Sequence, residues 1–185
     1  MVSNMHVGKM VGVYVIIVQT LLTLNGMRCH QKNISMRYVV YQSIKFSGGG
    51  QYFTDKLPIS KCWIVWDKIC DTPNKSVFAD CELAWTSFTK VCKMFKLRQM
   101  GFIHDTEDAE RIHPTQKPTE LYRWIYENYA KEGDTIFDPF LGSGSSRIAA
   151  YDMGFEFVGC EIDKDYFDKQ EERFMTHTAQ MKLDI

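Results

Sequence analysis

Thr135-Ile136-Phe137-Asp138-Pro139-Phe140-Leu141-Gly142-Ser143-Gly144-Ser145-Ser146 is the stretch that decides the fold of this chain. A short apolar run suited to a buried strand leads into a turn carrying two glycines, and then into residues suited to the start of a helix. Gly142 and Gly144 let backbone amides approach a ligand closely, and the hydroxyl of Ser145 or Ser146 is placed to cap the helix that continues through Arg147 to Met153. A second apolar strand, Phe155 to Cys160, follows and ends on Glu161. An acid at the tip of the next strand, about 20 residues beyond such a turn, is where an adenosine ribose presents its hydroxyls. The pattern implies a nucleotide-type cofactor that carries a ribose.

Upstream, His113-Pro114-Thr115-Gln116-Lys117-Pro118 leads into a helical pattern in which Leu121, Trp124, Ile125, Asn128 and Tyr129 recur at helical spacing. Pro118 suits its first turn and Gly133 its stop. The aromatic stripe of this helix reads as core rather than as a ligand contact. The alternation of strand and helix from 119 to 174 demands a parallel, right-handed crossover, with the ligand at the carboxyl ends of the strands. Earlier in the chain, Trp63 to Trp66 and Leu83 to Phe88 read as buried strands joined by a loop containing Pro73 and Asn74.

The His113–Pro118 box and the Asp138–Ser145 turn, intact and in this order, closely resemble the amino-methylating DNA methyltransferases, which methylate adenine N6 or cytosine N4 with S-adenosylmethionine. The resemblance extends through Gly49-Gly50-Gln51-Tyr52-Phe53-Thr54, Trp63-Ile64-Val65-Trp66-Asp67-Lys68 and Ala79-Asp80-Cys81-Glu82-Leu83-Ala84-Trp85-Thr86-Ser87, and so runs from Phe46 to Phe174. It looks like the compact phage and prophage type, permuted so that the catalytic half precedes the cofactor half. What it implies is an α/β, Rossmann-like S-adenosylmethionine-dependent methyltransferase fold with a mixed sheet, incomplete here. A full domain needs about seven strands and this length supplies about five.

By the same resemblance, His113, Pro114, Thr115, Gln116, Lys117 and Pro118 line the methionine end of S-adenosylmethionine, and Asp138, Pro139, Phe140, Gly142, Gly144 and Ser145 wrap its centre. Glu161, with Asp163 beside it, holds the ribose, and double-stranded DNA is the partner. The family's catalytic motif, an acid, Asn or Ser followed by Pro-Pro and an aromatic, belongs before Gly49. The prolines at 58, 73, 114, 118 and 139 are all isolated, so no residue is assigned to hold the target amine or stack on a flipped base. Two readings stand: a DNA amino-methyltransferase, or a non-catalytic cofactor- or DNA-binding remnant or subunit of one. A dinucleotide oxidoreductase is disfavoured, because a third glycine is missing and the His113–Pro118 box has no role in it.

A formal net charge of −1 decides nothing about nucleic acid, since the whole-chain balance hides local patches. The run from Thr89 to Arg98 places Lys90, Lys93, Lys96 and Arg98 among apolar residues; they read either as phosphate contacts or as the solvated face of a strand. Residues 99 to 112 are too few for a recognition domain. Six cysteines without a Cys-x-x-Cys pair indicate neither zinc nor a redox dithiol, and read as free thiols in a reducing, cytoplasmic setting. The apolar run Met10 to Leu24 reads most plainly as a buried β-branched strand, with a signal core, a membrane anchor or a replaced terminus left open. The expected organisation is an uncertain segment over 1–44 and a methyltransferase domain over 45–185, with a middle region 45–112 and a cofactor-binding half 113–175. A homodimer or a missing partner segment is left open.

Overall fold

A computed structural model describes residues 14–18, 28–29, 43–55, 57–71, 79–100, 103–106 and 111–183. Strands β1 (Tyr14–Val18), β2 (Arg28–Cys29), β3 (Ser43–Gly48), β4 (Trp63–Asp67), β5 (Cys81–Thr86) and β6 (Lys93–Lys96) come first. A small hairpin, β7 (Gln99–Met100) and β8 (Ile103–His104), leads to helix α1 (Thr119–Tyr129). Strand β9 (Thr135–Asp138), helix α2 (Ser145–Asp152), strand β10 (Glu156–Glu161) and helix α3 (Lys164–Leu183) complete the chain.

All strands but the hairpin join one mixed, eight-stranded sheet ordered β2-β10-β9-β1-β3-β5-β4-β6. This is more than the five expected from the sequence, and part of the excess is β1 and β2, which lie within residues 1–44. Four of the five residues of β1, Tyr-Val-Ile-Ile-Val, are β-branched, as a sheet interior favours; the rest of the apolar run around it lies outside the described residues, as does the loop with Pro73 and Asn74. Among the described residues no helix is long and apolar enough to cross a membrane.

Strand direction settles where a ligand sits. β9 and β10 pair in parallel, as do β4 and β6, while β1–β9, β1–β3, β3–β5 and β5–β4 are antiparallel. Following these pairings across the sheet, β3, β4, β6, β9 and β10 all point the same way. Gly48, Asp67, Lys96, Asp138 and Glu161, their last residues, therefore lie along one rim. β1 runs against β9, so its amino end meets that rim.

The core lies between α1, α2 and the sheet: Leu121, Tyr122, Ile125, Tyr126 and Tyr129 of α1 are buried with Ile64, Trp66, Ile136, Ala149, Ala150 and Phe157. This stripe is rotated slightly from the one read in the sequence, leaving Trp124 at its margin against Phe95 and Tyr129. The helix also stops before Gly133. Lys131 and Asp134 form a turn closed by Lys131 N–H to Asp134 Oδ2 at 2.8 Å and Asp134 N–H to Lys131 O at 3.0 Å, and Gly133 supplies the left-handed residue of that turn, at φ +83°.

Candidate cofactor-binding site

Each feature of the glycine turn is fixed by a hydrogen bond that crosses it. Asp138 is buried at the end of β9; its Oδ1 accepts from Phe140 N at 3.0 Å and its Oδ2 from Ser146 Oγ at 2.5 Å, so one carboxylate ties the start of the turn to the start of α2. Burial raises the Asp138 pKa to about 7, against the opposing pull of these two donors. Leu141 N–H bonds Cys160 O at 2.9 Å, anchoring the turn on β10, and Gly144 N–H bonds Leu141 O at 2.9 Å. Gly142 and Gly144 adopt φ of +53° and +75°, which suit glycine.

The serines behave differently from expectation. Gly144 is the N-cap of α2 and no side chain caps it. Ser146 Oγ is drawn to Asp138, and Ser145 Oγ lies 3.1 Å from Ser143 Oγ and accepts from Arg173 Nη1 at 2.9 Å. Buried polar partners outcompete the helix amides for both hydroxyls.

Glu161, at the tip of β10, is buried and accepts three backbone N–H groups: Gly142 on Oε2 at 2.8 Å, and Ile162 and Asp163 on Oε1 at 2.8 and 3.0 Å. A carboxylate has about four lone-pair sites, which leaves one for a ligand hydroxyl. Asp163 serves the following helix. Its Oδ1 accepts from Asp165 and Tyr166 N–H at 2.8 and 3.2 Å, so it caps α3.

The His113–Pro118 box is a loop, and α1 starts only at Thr119, with Pro118 as its N-cap. The His113 ring packs edge-on against Tyr166 at 4.3 Å; a Cβ on Gly142 would sit 3.7 Å from its Nδ1. Burial lowers the His113 pKa, with Glu161 and Asp163 opposing. Pro114 and Thr115 are exposed, whereas Gln116 turns inward and accepts from Ile112 N–H at 3.0 Å. His113, Gly142 and Glu161 thus converge on one spot, with Pro139 and Phe140 half-buried in the turn beside it. Lys117 reaches away, to Glu82 at 2.9 Å.

The family model for N6/N4-type DNA methylases matches residues 25–172. This chain belongs to the DNA methylase family. Among curated relatives, it is 32% identical over 75 residues to the type II methyltransferase M.HpaI of Haemophilus parainfluenzae, covering 40% of this chain and 24% of that protein. Against the type II methyltransferase M2.DpnII of Streptococcus pneumoniae it is 46% identical over 54 residues, 29% of this chain and 20% of that one. The chain thus spans about a quarter or less of either relative's length. Among solved structures, M1.HpyAVI in complex with SAM aligns at 24% identity and TM-score 0.46 over 60% of each chain. The putative DNA modification methylase TTHA0409 of Thermus thermophilus, complexed with S-adenosyl-L-methionine, aligns at 16% identity and TM-score 0.46, over 90% of this chain and 69% of that one.

In this methylase-family chain the four candidate phosphate contacts do not form one surface. Lys90 and Lys93 precede or open β6, at the far end from the cofactor turn, and bond the Asn128 carbonyl and Oδ1 at 2.6 and 2.9 Å. There they face the carboxyl end of α1, where cations are favoured. Lys96 and Arg98 lie on the rim shared with Asp138 and Glu161, paired with Asp71 at 3.3 Å and Asp105 at 2.7 Å.

Several residues escaped the sequence reading. Arg173, on α3, donates to Ser143 O at 2.8 Å and so holds the turn from behind, and Gln170, fully buried, packs under Gly144. Both follow the turn by two to three dozen residues, in a helix whose polar pattern resembles a solvated one. Cys160, expected as a free thiol, is disulfide-bonded and stands opposite Cys29 in the β2–β10 register. Cross-strand pairing, which sequence spacing cannot show, sets its environment. Cys62, Cys70, Cys81 and Cys92 are free, and among the described residues no cluster of His, Cys, Asp or Glu could hold a metal.

Proposed function

We propose that this chain carries the cofactor half of a DNA amino-methyltransferase, which moves a methyl group from S-adenosylmethionine to the exocyclic amine of adenine (N6) or cytosine (N4) in double-stranded DNA. The observation that supports it best is the turn itself. The left-handed Gly142 leaves a side-chain-free space beside the His113 ring, and its N–H bonds the buried Glu161, whose remaining lone pair suits a ribose hydroxyl.

The residues present fit the group. Glu161 would hold the ribose, Gly142 and Gly144 would let the backbone approach the centre of the cofactor, and Asp138, Pro139, Phe140 and Ser145 would shape the turn around it. The box from His113 through Pro114, Thr115, Gln116 and Lys117 to Pro118 would border the methionine end, and Asp163 would support the ribose side through the α3 cap. When bound, the cofactor supplies an electrophilic methyl group. Binding and orientation are this chain's own contribution, and alignment of reacting groups alone is worth several kcal/mol. Lys96 and Arg98 are the DNA contacts we favour, because they share the rim with the cofactor turn.

A second reading, a cofactor-binding subunit without activity of its own, is favoured by a specific observation. β1 adjoins β9 antiparallel and brings its amino end to the rim, so the strand next to Asp138 offers no carboxyl end for a target-base motif. A partner segment, or a second copy, would then complete the target pocket. Incubation with tritiated S-adenosylmethionine and unmethylated duplex DNA separates the two. Label appearing in DNA at rates from about 1 per second down to a hundredth of that assigns the full activity, and its absence with cofactor still bound assigns the subunit.

A further inference from the structure

The two rim cations proposed above to meet DNA are already occupied by carboxylates. Lys96 Nζ lies 3.3 Å from Asp71 Oδ2 and 3.7 Å from Asp67 Oδ2, and Arg98 Nη2 lies 2.7 Å from Asp105 Oδ1. The five side chains form one cluster around Cys70, which is within electrostatic reach of each of them. Three carboxylates against two cations leave this corner of the rim at a formal charge of −1, which repels a phosphate backbone.

Both pairs are of the kind that exchanges. The Asp71 side chain is 88% exposed and that of Asp105 47%, so water screens each contact and neither is strong. Asp105 bonds Nη2 of Arg98, while Arg98 Nε is buried without a partner, so the guanidinium fork that takes a phosphate bidentately is only partly used. Asp71 is presented by a strained turn. Cys70 and Asp71 stand consecutively at φ +48° and +65°, left-handed values that are costly for residues with a side chain, and Asp67 Oδ1 fixes the turn by accepting from Ile69 and Cys70 N–H at 3.1 and 3.0 Å. On the other side, Asp105 N–H bonds Arg98 O at 3.0 Å and closes the base of the β7–β8 hairpin.

We propose that Asp71 and Asp105 stand in for DNA phosphates: they are autoinhibitory contacts that hold Lys96 and Arg98 until a duplex displaces them. This rests on the reading of Lys96 and Arg98 as DNA contacts and adds their regulation. Every phosphate contact at this corner first breaks an ion pair, so the chain holds DNA more weakly than its cations allow.

Fluorescence anisotropy of the full chain with a labelled duplex of mixed sequence, at low ionic strength, tests this. Asp71→Asn with Asp105→Asn keeps an oxygen to accept from each cation while removing both negative charges. It should tighten binding about tenfold, a gain that shrinks as salt is added. Glu127→Gln with Glu132→Gln makes the same charge change on exposed acids at and just beyond the carboxyl end of α1, away from the rim, and should alter binding less than about twofold. On a Lys96→Met, Arg98→Met background the Asp71 and Asp105 changes should also alter binding less than about twofold, because the cations they mask are gone. No tightening, equal tightening by the Glu127 and Glu132 control, or tightening that persists without the two cations overturns the inference alone. If Lys96→Met with Arg98→Met leaves the wild-type affinity unchanged, or if the folded Asp71→Asn, Asp105→Asn chain binds no duplex, the DNA-contact reading falls and this inference with it.

Discussion

Replacing Gly144 by Ala, with Gly133→Ala as its control, separates backbone strain from crowding at the cofactor turn. Both glycines are left-handed, at φ +75° and +83°. An L-residue in that region costs about 1–2 kcal/mol, while the lost freedom of the unfolded chain returns about 0.4–1 kcal/mol, so strain alone leaves a net loss of roughly 1 kcal/mol. A Cβ at Gly133 meets nothing within 4 Å, and Gly133→Ala should cost no more than that. At Gly144 the new Cβ would stand 3.1 Å from Gln170 Oε1 and 3.2 Å from Gln170 Cβ. Gln170 is fully buried and its Oε1 accepts from Arg147 Nη1 at 3.0 Å, so it cannot retreat without breaking that bond. Overpacking of this kind adds about 1–3 kcal/mol, for a total of roughly 2–4 kcal/mol. Urea denaturation at constant m-value reads the difference directly. Cofactor affinity should follow it, unchanged in Gly133→Ala and reduced in Gly144→Ala, where the turn is displaced. Equal losses in the two variants would refute the claim that α3 buttresses the turn.

Asp138 makes stability fall as pH rises: its folded pKa of about 7 exceeds the unfolded 3.8, so its contribution is full below pH 3.8 and lost as pH climbs through 7. The gap amounts to about 4 kcal/mol. Asp138→Asn keeps a carbonyl to accept from Phe140 N–H and offers Ser146 Oγ an amide donor in place of an acceptor. It should become the more stable chain above pH 7 while matching or trailing the wild type near pH 4, as checked by denaturation at each pH. Neutralising Lys96 and Arg98 together should weaken duplex DNA binding for any sequence and flatten its salt slope by roughly one to two units, measured by fluorescence anisotropy. Neutralising Lys90 and Lys93 should instead lower the melting temperature and leave the slope alone, since both serve the end of α1.

The strand–turn–helix of residues 135–152, the strand ending on Glu161 and the helix after Pro118 were legible because periodicity and the two glycines are local signals. β1 was legible for the same reason, as an uninterrupted β-branched run. What was hidden depends on pairings distant in sequence. Ser145 and Ser146 looked like caps because Asp138 and Arg173 were not yet beside them. Lys90 and Lys96 looked alike in the sequence, but one lies before β6, bonded to the end of α1, and the other ends β6 on the rim it shares with the glycine turn. Lys117 could be placed in its box by resemblance, yet its partner Glu82 stands 35 positions earlier in a strand whose neighbours only the sheet order reveals.

Calorimetric titration of the purified, folded chain with S-adenosylmethionine, alongside Glu161→Ala, tests the central claim most directly. The account predicts saturable binding by the wild-type chain and a loss of about 1–3 kcal/mol in the variant, the range for a removed partner of a buried polar group. No heat of binding at millimolar cofactor, from a chain whose circular dichroism shows the helices and strands described above, would contradict it.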